Sequence, residues 1–357
     1  MVVKARRLAN CCEGWIHMVA NVSVIIPTHN RPEMLYQAIA SVQQQTYRDW
    51  EIVIVDDGSQ PAVDADALTK QFGPNIRVIR NELPVKLNTA RDQGVQAATG
   101  DIIIQLDDDD KLAPEALKKA VSALTSNKDL ELVFLGVKGF GDRAIHFDSA
   151  QAQALNNVLT NTNGQPTESD LIHFDSEIFS ALLNSVPMAF QRSIEYRVTW
   201  NKVSHLRRRA YMLDPDITNE ALAMQRIQPP LRDSEWALYA AASCNTALLT
   251  APVYLQRCEG QGAVSQPTQK GRAILSSIDI KTHLFKASKQ FPEFRLSADE
   301  IKKSYAQAYF EQAYFYFNNN KRLAAYVALF EALKIRLTPN YLRFALRMLL
   351  PRREISE

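Results

Sequence analysis

Four consecutive aspartates, Asp107 to Asp110 in "DIIIQLDDDDKLAP", close an apolar run at residues 101–114. Carboxylates this close repel one another and raise each other's pKa values unless a cation or a set of hydrogen-bond donors compensates. A positive partner is therefore expected. In an extended chain alternate side chains point the same way, which would put Asp107 and Asp109 on one face and Asp108 and Asp110 on the other. Two carboxylates on a face, with a third nearby, suit a hard divalent cation that shares its shell with phosphates, so Mg²⁺ or Mn²⁺ bridging a diphosphate is the chemistry to expect. An EF-hand loop starting at Asp107 would need Gly at 112 and Glu at 118, where the chain has Leu112 and Lys118. The plain alternative is a solvated acidic turn, with Asp110 favouring the positive end of the next helix.

Two other polar clusters follow apolar runs: "PTHNR" after "VSVII" at 22–26, and "DDGS" after "EIVIV" at 51–55. With "IRVI" at 76–79, "DIIIQL" at 101–106 and "LELVFLGV" at 130–137, these runs alternate with helical patterns. Continuous apolar strands separated by helices predict an α/β fold, a mostly parallel sheet flanked by helices. In open sheets of this kind ligands sit outside the carboxyl ends of the strands, so three polar strand ends argue for one site. Asn30 is expected to cap the first helix, ahead of Pro32 and an apolar face at Leu35, Ala38, Ile39 and Val42. A second helix is expected after the aspartates, with Ala116, Leu117, Ala120, Val121 and Leu124 inward. Residues 139–200 read as loops with short elements, and the chain from about 270 onward as a helical C-terminal extension of three helices. The expected division is an N-terminal extension at 1–20, an α/β half at 21–138, a second half at 139–268, and a helical region at 269–357; Met18 is the expected natural start.

Composition sets bounds on function. Lysine plus arginine number 41 against 39 aspartate plus glutamate, which gives no whole-chain case for nucleic acid. Cys11, Cys12, Cys244 and Cys258 form no CxxC pair, and a reducing cytoplasm is the simplest reading. No apolar run is long enough to span a bilayer, and no GxGxxG or GxxxxGK[ST] motif occurs.

"VSVIIPTHNRPEMLYQAIASVQQQTYRDWEIVIVDDGSQ" at 22–60, "NTARDQGVQAATGDIIIQLDDDDKLAPEAL" at 88–117 and a looser stretch at 199–262 resemble the inverting family 2 glycosyltransferases of GT-A fold. The resemblance implies transfer of a sugar from a nucleotide-diphosphate donor, a UDP-sugar first, to a carbohydrate or lipid-linked acceptor, in bacterial surface polysaccharide or lipopolysaccharide synthesis. It implies that Pro27, His29 and Arg31 line the nucleotide pocket, that Asp56 accepts from the base or ribose with Asp57 beginning the turn beside it, and that Arg91 faces the diphosphate. Asp107 and Asp109 match the outer residues of the DxD motif, with Asp109 the direct metal ligand and Asp108 or Asp107 near the ribose. Asp92 stands where the family has Asn. The catalytic base falls in "LRDSEWALYAA" at 231–241, on Glu235 with Asp233 as rival; both also suit the plain first turn of a helix. Arg257 fits a family arginine, and Glu259, in the place of a family histidine, is an expected oxygen ligand to the metal.

Two other functions compete. An aspartate-nucleophile phosphohydrolase would want Thr or Val where the chain has Lys111, and a non-catalytic sugar-nucleotide-binding protein would keep the pocket without the base. In "NYLRFALRMLLPRREISE", Leu342, Ala345, Leu346 and Leu349 share one helical face, with Arg343 and Arg347 on another. That pattern fits either a packed terminal helix or peripheral contact with the inner face of the cytoplasmic membrane.

Overall fold

The computed structural model describes residues 21–160, 162, 170–174, 177–184, 190–213, 231–259, 279–294 and 297–349. The expected N-terminal extension and the Met18 start lie outside them.

Strands β1 (Val22–Thr28), β2 (Trp50–Asp57), β3 (Ile76–Asn81) and β4 (Ile102–Gln105) form where the β-branched runs predict them. They pair in parallel in the order β3-β2-β1-β4. All seven residues of β1 are buried because both faces of the sheet are covered. Val24 and Ile26 enter one core with Leu35 and Ile39 of α1 (Pro32–Gln43) and Leu117 of α4 (Ala116–Thr125). Ile25 enters the opposite core with Val95 of α3 (Leu87–Ala97). Helix α3 lies so close to the sheet that a Cβ on Gly94 would stand 2.3 Å from Ile25 Cγ2. Only glycine fits there.

Beyond β4 the same sheet continues with mixed polarity. β8 (Ser193–Tyr196) is antiparallel to both β4 and β6 (Leu132–Phe140), and β6 is parallel to β9 (Thr246–Arg257). The short β5 (Lys111–Leu112) and β7 (Leu171–His173) pair antiparallel with β9. The mostly parallel expectation thus describes the first four strands, and one sheet runs across the division expected at 138.

Residues 139–200 hold more regular structure than their composition suggests. Helix α5 (Ala144–Thr160) buries only Gln151 and Val158, which is why no apolar period marks it; α6 (Glu177–Asn184) is the expected short apolar patch. The other patch, "VPMAF", lies outside the described residues as far as Ala189. Helices α7 (Arg197–Tyr211) and α8 (Leu231–Ser243) cover the face that α3 begins, with Trp200 stacked on Trp236 at 4.1 Å between ring centroids. Asn30 does not cap α1. It adopts a left-handed φ of 56°, and its Oδ1 accepts from Gln60 N at 2.7 Å, tying the end of β1 to the turn after β2.

The three expected C-terminal helices are α9 (Ala298–Asn318), capped by Ser297, α10 (Arg322–Ile335) and α11 (Pro339–Leu349). They share a core of alanines and aromatics, including Ala306, Ala313, Phe317, Ala325 and Phe344. On α11 the buried side chains are Tyr341, Phe344 and Met348, whereas Leu342, Leu346 and Leu349 of the expected face stay exposed.

Candidate active site

The parallel strands β1, β2 and β4 end at one edge of the sheet, and antiparallel β8 begins there. Arg31, Asp56, Asp57, the run Asp107 to Asp110, and Arg192 are therefore delivered to one place by chain direction alone. Arg91 is added from α3.

At the end of β2, Asp56 is fully buried. Its Oδ1 accepts from Ser59 N at 2.8 Å, and its Oδ2 from Val63 N at 3.1 Å and from Arg80 of β3. Burial pushes this carboxyl up, but the hydrogen bonds outweigh it and leave the pKa below the ordinary value. Asp57 accepts from Val85 N, Lys86 N and Asn81 Nδ2 at 2.7, 3.0 and 3.1 Å. These donors fix the Asp56 carboxylate in the wall of the expected nucleotide pocket, with Oδ1 holding one of them and Oδ2 two. Pro27 is buried in β1, and His29 is exposed with Nδ1 2.7 Å from Asp57 O.

At the end of β4 the aspartates form a turn, closed by Asp110 N–H donating to Asp107 O at 3.1 Å. They are not an extended run, so the alternation that would pair Asp107 with Asp109 against Asp108 with Asp110 fails. Asp107 accepts from Arg91 and Arg192, both at 2.7 Å. Asp108 is buried and accepts from Thr28 Oγ1 at 2.7 Å and Arg31 at 3.0 Å. Asp109 accepts from Arg31 at 2.9 Å, with about a third of its side chain in solvent. Asp110 does not start the next helix. It is buried under Tyr254 OH at 2.9 Å, Arg257 N at 2.8 Å and Arg192 at 3.3 Å.

The positive partners demanded by four adjacent carboxylates are thus guanidiniums. Burial works against the charges of Arg91 and Arg192, but the facing aspartates outweigh it and hold both firmly protonated. Burial would likewise raise Asp107, yet Arg192 and Arg91 bring it well below the carboxylate range. Asp110 goes the other way: burial, then the charges of Asp107 and Asp109, push it up to about 7 against the pull of Arg192.

Carboxylate oxygens of Asp107, Asp109 and Asp110 lie within 4.8 Å of one another, which fits a single hard cation. Glu259 is corrected out of this set. It is exposed, and its carboxylate accepts from Arg257 at 3.1 and 3.2 Å. Asp110 supplies the third carboxylate instead.

Asp233 and Glu235 lie two residues apart on α8, about 200° around the helix axis. Asp233 faces the site, with Oδ1 2.7 Å from Arg91 and Oδ2 3.1 Å from Arg192. Glu235 is fully buried on the other side, near Tyr211 and Tyr239, where burial and its charge hold both phenols well above their ordinary pKa. An acceptor hydroxyl cannot reach it. Of the two candidates for the base, Asp233 is the one whose carboxylate meets the Arg91–Arg192 pair. Beside Asp233 lies a small recess of about 20 Å³, lined by Arg91, Gln105, Arg192 and the Trp200–Trp236 pair. The Gln105 amide has no hydrogen-bond partner among the described residues.

Sequence reasoning missed Arg192, Tyr254 and Gln105. The one available signal was Arg192 itself, a charge directly before the short "SIEY" strand. Asp92, the departure from the family pattern, accepts from Trp200 Nε1 at 2.9 Å and Arg208 at 2.7 Å, fastening α3 to α7.

The family model described as Glycosyl transferase family 2 matches residues 23–186. An uncharacterised glycosyltransferase of Haemophilus influenzae is 30% identical over 113 residues, covering 32% of this chain and 37% of that protein. WcaA of Escherichia coli, described as a putative colanic acid biosynthesis glycosyl transferase, is 35% identical over 97 residues, 27% of this chain and 35% of its own. The chain spans between 13% and 44% of the length of the curated relatives it matches. Among solved structures, S. aureus TarS 1–349 in complex with UDP-GlcNAc superposes with a TM-score of 0.53 at 16% identity, over 88% of this chain and 81% of that one. At that identity the likeness is one of fold, in line with the expected GT-A architecture.

Proposed function

We propose, for a chain that belongs to glycosyl transferase family 2 through residues 23–186, that it moves a sugar from a nucleotide-diphosphate donor to a carbohydrate or lipid-linked acceptor with inversion. The observation that carries this reading is the shared pair of guanidiniums: Arg91 and Arg192 each contact both Asp107 and Asp233. A diphosphate is the natural competitor for two buried arginines, since their planar forks make charge-assisted bonds to phosphate oxygens. Once the donor takes Arg91 and Arg192, the Asp233 carboxylate is released to accept the proton of an attacking hydroxyl. The leaving diphosphate then develops its charge against the same two arginines.

Asp107, Asp109 and Asp110 would hold Mg²⁺ or Mn²⁺, which supplies Lewis-acid neutralisation of the diphosphate. The unpartnered Gln105 amide and the Trp200–Trp236 pair beside Asp233 offer the polar and apolar contacts that a hydroxyl-rich ring uses, although the recess between them is too small to take such a ring unless the side chains around it move. His29, Arg31 and the backbone at Pro27 line the nucleoside side, next to the wall built by Asp56 and Asp57. A UDP-sugar is the first donor to try, because the structural neighbour TarS binds UDP-GlcNAc. Surface polysaccharide synthesis is the setting favoured by relatives such as WcaA.

The deciding experiment compares Asp233→Asn with Glu235→Gln in an assay of nucleoside diphosphate release from UDP-sugars with Mn²⁺ and acceptors. Asp233→Asn should lower kcat by roughly 10²- to 10⁴-fold while keeping donor binding. Glu235→Gln should keep kcat within a few-fold. The opposite ranking would return the base to Glu235. Tight donor binding without turnover on any acceptor would favour the non-catalytic sugar-nucleotide-binding function.

A further inference from the structure

Large exposed hydrophobic side chains are not spread evenly over this protein. Thirteen occur among the described residues, and nine of them fall between Tyr314 and Leu349. On α10, Leu323, Tyr326, Val327 and Phe330 follow the i, i+3, i+4, i+7 spacing of a single helical face, opposite the side that packs on α9; Leu323 is 81% exposed and Phe330 63%. On α11 the stripe is Leu342, Leu346 and Leu349, the last two 65% and 71% exposed. The stripes meet where Tyr326 OH donates to Met348 O at 3.0 Å, a bond from the outer face of α10 to the last turn of α11. Leu337, in the connection between the helices, is 71% exposed.

The charge around this surface is as uneven as its hydrophobicity. Residues 319–349 contain six lysines and arginines and one acid, Glu331, in a chain whose overall balance is only +2. Arg343 and Arg347 form a row one turn apart beside the leucine stripe, and Lys334 lies over the Phe330 ring at 5.6 Å. Long basic side chains bordering an apolar face can bury their stems and keep their charges at an interface.

We propose that the outer faces of α10 and α11 form one docking surface for an anionic lipid bilayer, lying flat in the headgroup region. Charge complementarity selects this occupant. A second copy of the chain related by a two-fold axis would bring the basic rows toward each other, at a cost from like charges that a bilayer of anionic headgroups turns into attraction. No described helix is long and apolar enough to cross a membrane, so the contact is peripheral. The inference goes beyond the transferase reading and does not depend on it, because no residue of the sheet-edge site takes part.

The test is flotation of the full chain with vesicles of phosphatidylcholine alone and of phosphatidylcholine mixed with phosphatidylglycerol. Binding is expected on the anionic vesicles, with a loss of roughly tenfold or more on neutral vesicles, in high salt, and for the pair Arg343→Gln with Arg347→Gln. The pair Phe330→Ser with Leu346→Ser should lose binding to a similar degree. Both pairs replace exposed groups, so an unchanged thermal melt certifies the fold, and unchanged nucleoside diphosphate release separates this result from the fate of the transferase reading. No binding by the intact chain, or binding indifferent to both pairs, overturns the proposal. So does a dimer in solution that Phe330→Ser with Leu346→Ser dissolves, since a second copy would then own the surface.

Discussion

Two strand ends carry runs of aspartate, and the protein treats them in opposite ways. After β2, Asp56 and Asp57 are held largely by backbone N–H groups of their own and neighbouring loops: Ser59 and Val63 for one, Val85 and Lys86 for the other. After β4, Asp107 to Asp110 are held mostly by side chains brought from afar: Arg31, Arg91, Arg192 and Tyr254. Backbone donors are fixed in place and cannot be handed to a ligand. Guanidiniums can, and a metal–diphosphate complex offers both exchanges at once, an anion for the arginines and a cation for the carboxylates. On the proposed reading the first cluster is architecture and the second is exchangeable.

The largest effect should come from attacking the fixed cluster. Asp56→Ala leaves Arg80, Ser59 N–H and Val63 N–H without their acceptor, and should cost about 3–5 kcal/mol of stability, read by chemical denaturation. A loss under about 1 kcal/mol would show that Asp56 is as exchangeable as its counterparts. Asp110→Ala should cost about 1–3 kcal/mol through the orphaned Tyr254 OH and Arg257 N–H, and should also weaken Mn²⁺ binding. A variant with native stability and native Mn²⁺ affinity would show that Asp110 holds neither the turn nor the cation.

Glu195 tests what happens when donors fail to offset burial. It is fully buried on β8, where burial pushes its pKa from 4.5 up to about 8 despite the opposing influence of Ser193 and Arg91. The folded state therefore holds a proton that the unfolded chain releases above pH 4.5, and the stability linked to this group falls as pH rises from 4.5 to about 8. Glu195→Gln removes that dependence. Its advantage over the parent in thermal melts should grow by at most about 1.4 kcal/mol per pH unit across the window, and a constant difference would mean that Glu195 is ionised when folded. The smallest effect is expected for Glu259→Gln, which loses only an exposed pair with Arg257 worth about 0–1 kcal/mol. Mn²⁺ affinity measured by calorimetry should not move; a tenfold loss would restore Glu259 as a ligand.

The sequence reading succeeded where one residue type decides one local event. The parallel strands β1 to β4, the first apolar helix faces and the meeting of "PTHNR", "DDGS" and "DDDD" at one edge follow from β-branched runs and chain direction. It failed where a residue acts through distant partners. Arg192 stands 82 residues from Asp110, and no periodicity links them. Asp107 to Asp110 looked extended because an apolar strand precedes them, while their mutual repulsion is relieved by a turn in which Arg31 bridges Asp108 and Asp109 and Arg192 bridges Asp107 and Asp110. Asp233 and Glu235 both suit a helix start by composition, and only the rotation of α8 against Trp200 and Tyr211 tells them apart. Helix α5 went unseen because it buries too little to leave an apolar rhythm.

Gly94 has no part in the chemistry, yet it sets the tolerance of the machinery. One turn ahead of it on α3 stands Arg91, whose two hydrogen bonds to Asp107 and Asp233 are both 2.7 Å long. A missing methyl group lets the helix rest on Ile25 and Val55 as on a bearing seat, so the reach of Arg91 is gauged by the thickness of the sheet beneath it. A single added carbon there would act as a shim, lifting the arginine from both carboxylates together.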